Sequence, residues 1–389
     1  MELFDVPLTI GIEEEYQIID PVTRELTSYV QQFLNHGRVL GDQVKQEFLQ
    51  SQVEVGTRIC KSVKEAREEI LRLRTSLIQI ADEAGVRIVS AGTHPFSHWH
   101  DQLISESDRY LEFAADMQQV VRSLLIFGMH VHIGFGNSPS DRELLITVMN
   151  QARYFVPHIL ALSTSSPFWL GRNTGLKSYR SIVFESLPRT GLPMEFHSWS
   201  EYERYVRLLA KVGALGDTAR NLELGDATRI WWDIRPHHKY GTLEFRIADA
   251  ATKLEECICV AALFQAVVAK LIWLRQRNQS WRIYRRDLID ENKWRAVRYG
   301  VFGKLIDFGK EEEVALTDLI DELVEFVDDV VDDLDSRHEV AYAKTIARLG
   351  SSADRQIRVY QNALKEGKSN DECLKLVVDH LVAETRGTV

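Results

Sequence analysis

Four stretches of this chain alternate between apolar and polar side chains as half-buried β-strands do: residues 8–19, 50–57, 129–135 and 241–250. Successive side chains of a strand point to opposite faces. In the first stretch Leu8, Ile10, Ile12, Tyr16 and Ile18 share one face, with Glu14 as the exception, while Thr9, Gly11, Glu13, Glu15 and Gln17 share the other. Glu13 and Glu15 therefore point the same way, about 7 Å apart along the strand. In the second, Val53 and Val55 oppose Gln52, Glu54 and Gly56; in the third, Met129, Val131, Ile133 and Phe135 oppose His130, His132 and Gly134. In the fourth, Leu243, Phe245 and Ile247 oppose Thr242, Glu244, Arg246 and Ala248.

If these strands share a sheet, their apolar faces pack on helices. Their polar faces then collect Glu13, Glu15, Glu54 and Glu244 with His130, His132 and Arg246. A solvated sheet face also alternates in this way. Such a face normally mixes Thr, Ser and Lys, however, and this set holds carboxylates without a lysine. Adjacent carboxylates repel unless cations lie between them, and carboxylate oxygens with an occasional imidazole suit Mg²⁺ or Mn²⁺. Gly11, Gly56 and Gly134 on the same face mark either bends or places where a ligand approaches the backbone. Arg246, two residues from Glu244, is placed either to pair with it or to hold phosphate oxygens.

Further strands are expected at 86–91 and 230–235. Helices are expected at 62–84, opened by the Ser62–Glu65 capping box, at 107–127, from Ser140 and Ser200 (each with Glu three residues on), at 252–274 and at about 313–334. Strands and helices do not alternate steadily, which points to an α+β fold with a mostly antiparallel sheet. The Ser-, Gly-, Pro- and Arg-rich stretch 164–198 reads as a long functional loop. After about residue 285 the chain is helical and charged, and we treat 1–389 as one domain with that helical C-terminal part. Arg180 and Arg189 in the loop, and Arg235 at a strand end, are further cations for a substrate carboxylate or a phosphate tail; each also suits a surface ion pair.

A net charge of −10 argues against nucleic acid as the main partner. Cys60, Cys257, Cys259 and Cys373 match no zinc or redox spacing and read as reduced, buried thiols. The apolar run 258–274 contains Gln265 and Lys270 and reads as a core helix, not a membrane span. MELFDVPLTIGIEEE has acids where a secretion signal carries basic residues, so a cytoplasmic location is expected. GTHPFSHWH clusters His94, His98 and His100 at spacings that fit no strong zinc pattern, and Trp231–Trp232 reads as core packing. Neither GxSxG nor GxxxxGK[ST] occurs.

TIGIEEEYQIIDP, HVHIGF, YRSIVFESLPRTG, WWDIRPHHKYGTLEFRIADA, ENKWRAVRYG and SSADRQ, in this order between residues 8 and 356, resemble the YbdK-type carboxylate–amine ligases. This is the glutamate–cysteine ligase type 2 family, within the glutamine-synthetase-like superfamily. The resemblance implies a curved antiparallel sheet backed by helices, with ATP and Mg²⁺ (or Mn²⁺) in its concave face. It implies ATP-driven activation of a carboxylate, that of glutamate, and attack by an amine such as cysteine, with weak glutamate–cysteine ligase activity in this branch. By similarity to the wider superfamily, Glu13, Glu15, Glu54, His130 and Glu244 match metal ligands, and Arg246 matches a phosphate-binding arginine. Glu244 and Arg246 are then the candidate catalytic pair, Arg235 with Arg246 the candidate cofactor-binding residues, and Tyr179, Arg180 and Arg189 the candidate substrate-binding residues. Ser352 stands where the family pattern carries Gly, and Asp354–Arg355–Gln356 is intact.

Three other readings use the same residues. A metal-dependent amide hydrolase would act without nucleotide; a guanidino-kinase-like phosphotransferase would yield a phosphorylated product and no amide; a non-catalytic nucleotide- or metabolite-binding protein would bind ATP without turnover. A homo-oligomer is compatible with all of them.

Overall fold

The first alternating stretch forms β1 (Ile10–Ile19), the central strand of a seven-stranded sheet in a computed structural model that describes residues 6–36, 41–216 and 226–387. In chain order the others are β2 (Val44–Gln46), β3 (Gln52–Gly56), β4 (Arg87–Val89), β5 (Met129–Gly134), β6 (Ile234–His237) and β7 (Thr242–Phe245). The order across the sheet is β6–β7–β5–β1–β3–β2, with β4 pairing the end of β1. Every pairing is antiparallel. The four alternating stretches thus share one sheet.

Their apolar faces are buried: Ile12, Val53, Val55, Met129, Val131, Ile133 and Leu243 have no exposed surface. They pack on helix α1 (Val63–Glu83) and helix α2 (Leu254–Gln276), where Phe264 stacks on Phe245 with ring centroids 4.0 Å apart. Burying one such side chain contributes about 1.5–3 kcal/mol. The most apolar window of α2 has the hydropathy (2.2) and length of a membrane span, but 89% of it is buried inside the fold. Its polar exceptions find partners there: Gln265 Nε2 donates to the Leu8 carbonyl (2.7 Å), and Lys270 pairs with Asp329.

α1 begins where expected, with Ser62 Oγ accepting from Glu65 N (3.2 Å). Two helix starts differ. The N-caps are Ser138 and Ser198, not Ser140 and Ser200. Pro139 occupies the first turn, where a missing N–H has no consequence, and Asp141 closes a capping box with Ser138. Helix 107–127 instead breaks after Asp108–Met117, because Gln118 adopts a left-handed φ of 51°. The expected helix from 313 begins at Leu316, after a hairpin of Lys304–Asp307 and Glu312–Ala315. The long loop contains a short helix, Tyr179–Phe184, and two helices, Ser352–Lys365 and Asn370–Arg386, close the described chain. All four cysteines are buried and free.

The histidine cluster is structural at its core. His94 Nδ1 accepts from Phe96 N (3.2 Å) and Ser97 N (2.8 Å), and its Nε2 lies 2.9 Å from the Arg24 carbonyl. Burial lowers its pKa to about 3, so the ring is neutral.

Candidate active site

Register decides which polar side chains meet. Glu13 of β1 lies opposite His130 of β5 on one side and Gly56 of β3 on the other; Glu15 lies opposite Glu54. His132 lies opposite Glu244, and Glu244 opposite Arg235. Directly opposed residues project to the same face, so one cavity of about 370 Å³ is lined by Glu13, Glu15, Glu54, His130, His132, Arg235, Glu244 and Arg246.

Within it, oxygens of Glu13 and Glu244 and a nitrogen of His130 lie within 4.8 Å of one another. His130 Nδ1 is 3.3 Å from Glu13 Oε2. His132 Nε2 is 3.9 Å from Glu13 and 4.0 Å from Glu244, while its Nδ1 contacts Thr242 Oγ1 (2.9 Å). Burial works against ionisation of Glu244, but Arg235 and Arg246 hold its carboxyl well below the usual range. Arg235 donates twice to Glu244 (2.7 and 3.1 Å) and to the carbonyls of Thr228 and Ile230 (2.7 Å each), so it chiefly orients that carboxylate. Arg246 Nη1 donates to Glu244 Oε1 at 2.5 Å and lies 3.5 Å from His130 Nδ1. Its Nε has no partner among the described residues.

A second carboxylate group lies alongside. Burial and the charge of Glu54 raise the Glu15 pKa to about 7. Burial, Glu13 and Glu47 push Glu54 well above its usual value, and burial with Glu15 raises Glu47 to about 7. The expected absence of lysine does not hold: Lys45, on the short strand β2, bonds Glu54 (3.0 Å) and Glu13 (3.3 Å). One lysine does not offset these carboxylates, whose raised pKa values mean that they ionise fully at neutral pH only beside a further cation. Together with an all-oxygen and imidazole donor set, that demand fits hard divalent cations held by Glu13, His130 and Glu244, with Glu15 and Glu54 adjacent.

Glu14 points away from the cavity, as its register requires, and pairs with Arg74. The three loop residues expected at the substrate separate. Arg180 lines an inner chamber that opens from the cavity beside Arg246. Arg189 lies outside both linings, its Nε donating to the Arg229 carbonyl (3.1 Å) and its guanidinium 5.2 Å from the Trp231 ring. Tyr179 is also outside, packed on Trp169 at 5.5 Å. Of the tryptophan pair, Trp232 is core, but Trp231 lines the cavity. Glu47, Arg109, Tyr110 and Asp226 also line it. None of these four stood out in the sequence; Glu47 follows directly on the three-residue strand β2.

Residues 9–380 match the family model described as glutamate-cysteine ligase family 2. A provisionally named glutamate–cysteine ligase 2 of Roseiflexus castenholzii is 53% identical over 382 residues, 98% of this chain and 95% of that protein. A Chloroflexus aggregans protein with the same provisional name is 54% identical, over 98% and 93%. Among solved structures, a glutamate–cysteine ligase of Francisella tularensis in complex with AMP superposes with a TM-score of 0.66 at 13% identity, covering 100% of this chain and 94% of that one. A bifunctional glutathione synthetase of Pasteurella multocida gives 0.65 at 13% identity; this chain is covered over 97% but spans only about half (52%) of that protein.

Proposed function

The chain belongs to glutamate–cysteine ligase family 2, and from that premise we propose that its cavity joins a carboxylate to an amine at the expense of ATP, with glutamate as donor and an amino acid such as cysteine as acceptor. The observation that carries this reading is the convergence of Glu13, His130 and Glu244, from three strands, within 4.8 Å of one another and beside Arg246. A metal-dependent hydrolase would not need an arginine beside its cation-binding cluster; holding a nucleotide's phosphates does, and turnover with amide formation separates transfer from binding.

Divalent cations held by Glu13, His130 and Glu244, with Glu15 and Glu54 beside them, would offset the charge of the nucleotide phosphates. Arg246 positions the transferring phosphoryl group and stabilises charge on its oxygens. Arg235 keeps Glu244 ionised and fixed. A donor carboxylate oxygen attacks the γ-phosphorus, the bond to the β–γ bridging oxygen breaks, and ADP leaves. The amine nitrogen then attacks the acyl carbon, the carbon–oxygen bond to phosphate breaks, phosphate departs and the nitrogen loses a proton. No side chain forms a covalent bond; the residues orient and neutralise.

The test is ADP release over pairs of carboxylates and amines with Mg²⁺, with mass spectrometry of the product. We expect ADP release to need both substrates and to match amide formed one to one. ADP release without an acceptor, or a product mass corresponding to a stable phosphorylated acceptor, contradicts the reading.

A further inference from the structure

The inner chamber, about 130 Å³, shares Glu15, Glu47, His130 and Arg246, with Phe48, Phe113 and Trp231, with the outer cavity. Lining the chamber alone are Gln52, Leu124, Ile126, Arg180, Phe184 and Leu187, a mostly apolar set around one cation. Arg180 is 3% exposed and makes no ion pair among the described residues. Among the described residues its guanidinium donates only to the carbonyls of Ile247 (Nη1, 3.2 Å) and Arg246 (Nη2, 3.2 Å), and its Nε has no partner. The nearby Asp249 is already committed to Ser165 N (2.9 Å), Ser166 Oγ (2.6 Å) and Ser178 Oγ (2.7 Å). Asp249 and Glu15, which lines the same chamber, are the carboxylates near Arg180; neither bonds it, and burial outweighs their support, so the guanidinium still favours a further anion.

We propose that this chamber is the acceptor subsite and that it selects an α-amino acid with an apolar side chain: the carboxylate on Arg180, the amino group toward Glu47 at the junction with the outer cavity, and the side chain against Leu124, Ile126, Phe184 and Leu187. The proposal rests on the ligase reading and refines its second substrate. An amine presented at the junction reaches the acyl carbon while its own carboxylate stays on Arg180. The apolar walls stay uncovered by alanine, serine or cysteine and are covered by leucine or methionine. Each further buried methylene adds to transition-state binding, so leucine exceeds alanine by about tenfold or more in kcat/KM.

Acceptor ranking in the ADP-release assay tests this, together with calorimetric titration of leucine, which needs no turnover. Leu124→Trp fills the chamber and Arg180→Gln removes its cation. Both are checked for native melting, and Leu124→Trp stands as an independent arm should Arg180→Gln fail to fold. We expect leucine to outrank alanine and cysteine, leucine KM to rise at least about tenfold in Leu124→Trp with the ATP KM unchanged, and leucine binding to be lost in both variants. ADP release with cysteine but no preference for apolar acceptors, or an unchanged leucine KM in Leu124→Trp, overturns the chamber assignment and leaves the ligase reading intact. Leucine binding that both variants abolish, with no ADP released from any pair, retains the chamber as an apolar amino-acid site and overturns the ligase reading.

Discussion

Glu14 and Arg74 form an ion pair with no exposed surface on either side chain, Nη2 to Oε1 at 2.5 Å and Nε to Oε2 at 3.0 Å, on the opposite face of β1 from Glu13 and Glu15. Tyr16 also donates to Glu14 (2.5 Å), and Arg74 reaches the carbonyls of Ala251 (2.9 Å) and Thr252 (3.0 Å) beyond the end of β7. The pair thus ties the central strand to α1 and to the segment that follows Arg246. Adjacent glutamates have opposite duties because a strand turns over at every residue.

Replacing Arg74 with Met leaves Glu14 buried without its counter-charge. We expect a loss of about 3–5 kcal/mol in urea unfolding, the usual result of stranding a buried charge. Replacing both partners, Glu14→Leu with Arg74→Met, should recover more than half of that loss. Equal stability of the wild type and Arg74→Met would show that the pair does not hold the sheet to its helix.

At the site itself, Arg246→Ala and Glu54→Gln should each lower turnover by about a hundredfold or more, as removal of one preorganised electrostatic partner does elsewhere. Native circular dichroism should be retained. Arg235→Met should act through Glu244, lowering turnover and weakening Mg²⁺ activation together. Unchanged turnover in Arg246→Ala and Glu54→Gln would remove these residues from the chemistry.

Acid stability should follow the buried histidines. Burial lowers His94 to about 3 and His158 to about 4. In the unfolded chain they titrate near 6.5. Between these values the unfolded state holds more protons, so stability is full above about pH 6.5 and falls as pH drops, by at most about 1.4 kcal/mol per pH unit for each histidine. His94→Gln should flatten this slope between pH 6 and about 4 in urea titrations. An unaltered slope would place the acid sensitivity elsewhere.

The period of two in four strands was enough to sort Glu13, Glu15, Glu54, His130, Glu244 and Arg246 onto one face and Glu14 onto the other. Alternation fixes orientation without any knowledge of the fold. Lys45 and Glu47 were not foreseen because β2 is only three residues long and shows no pattern above the noise of a loop. Arg109 and Tyr110 come from a helix, and Asp226 from a loop, brought over the sheet by tertiary approach alone. Arg180, Arg189 and Tyr179 lie in a connecting stretch without a period, so composition could group them but not aim them. The helix starts at 138 and 198 turned on which of two nearby serines capped, a choice made at the first by Pro139 and its Asp141 partner.

Whether Glu13 and Glu244 hold cations that also meet nucleotide phosphate is decided by Mn²⁺ binding followed by electron paramagnetic resonance, with and without a non-hydrolysable ATP analogue. Wild-type protein should bind Mn²⁺, the analogue should tighten binding, and Glu13→Gln and Glu244→Gln, which lie on different strands, should each weaken it by about tenfold or more. Binding that survives both substitutions, or that is indifferent to the analogue, would contradict a shared cation–phosphate site.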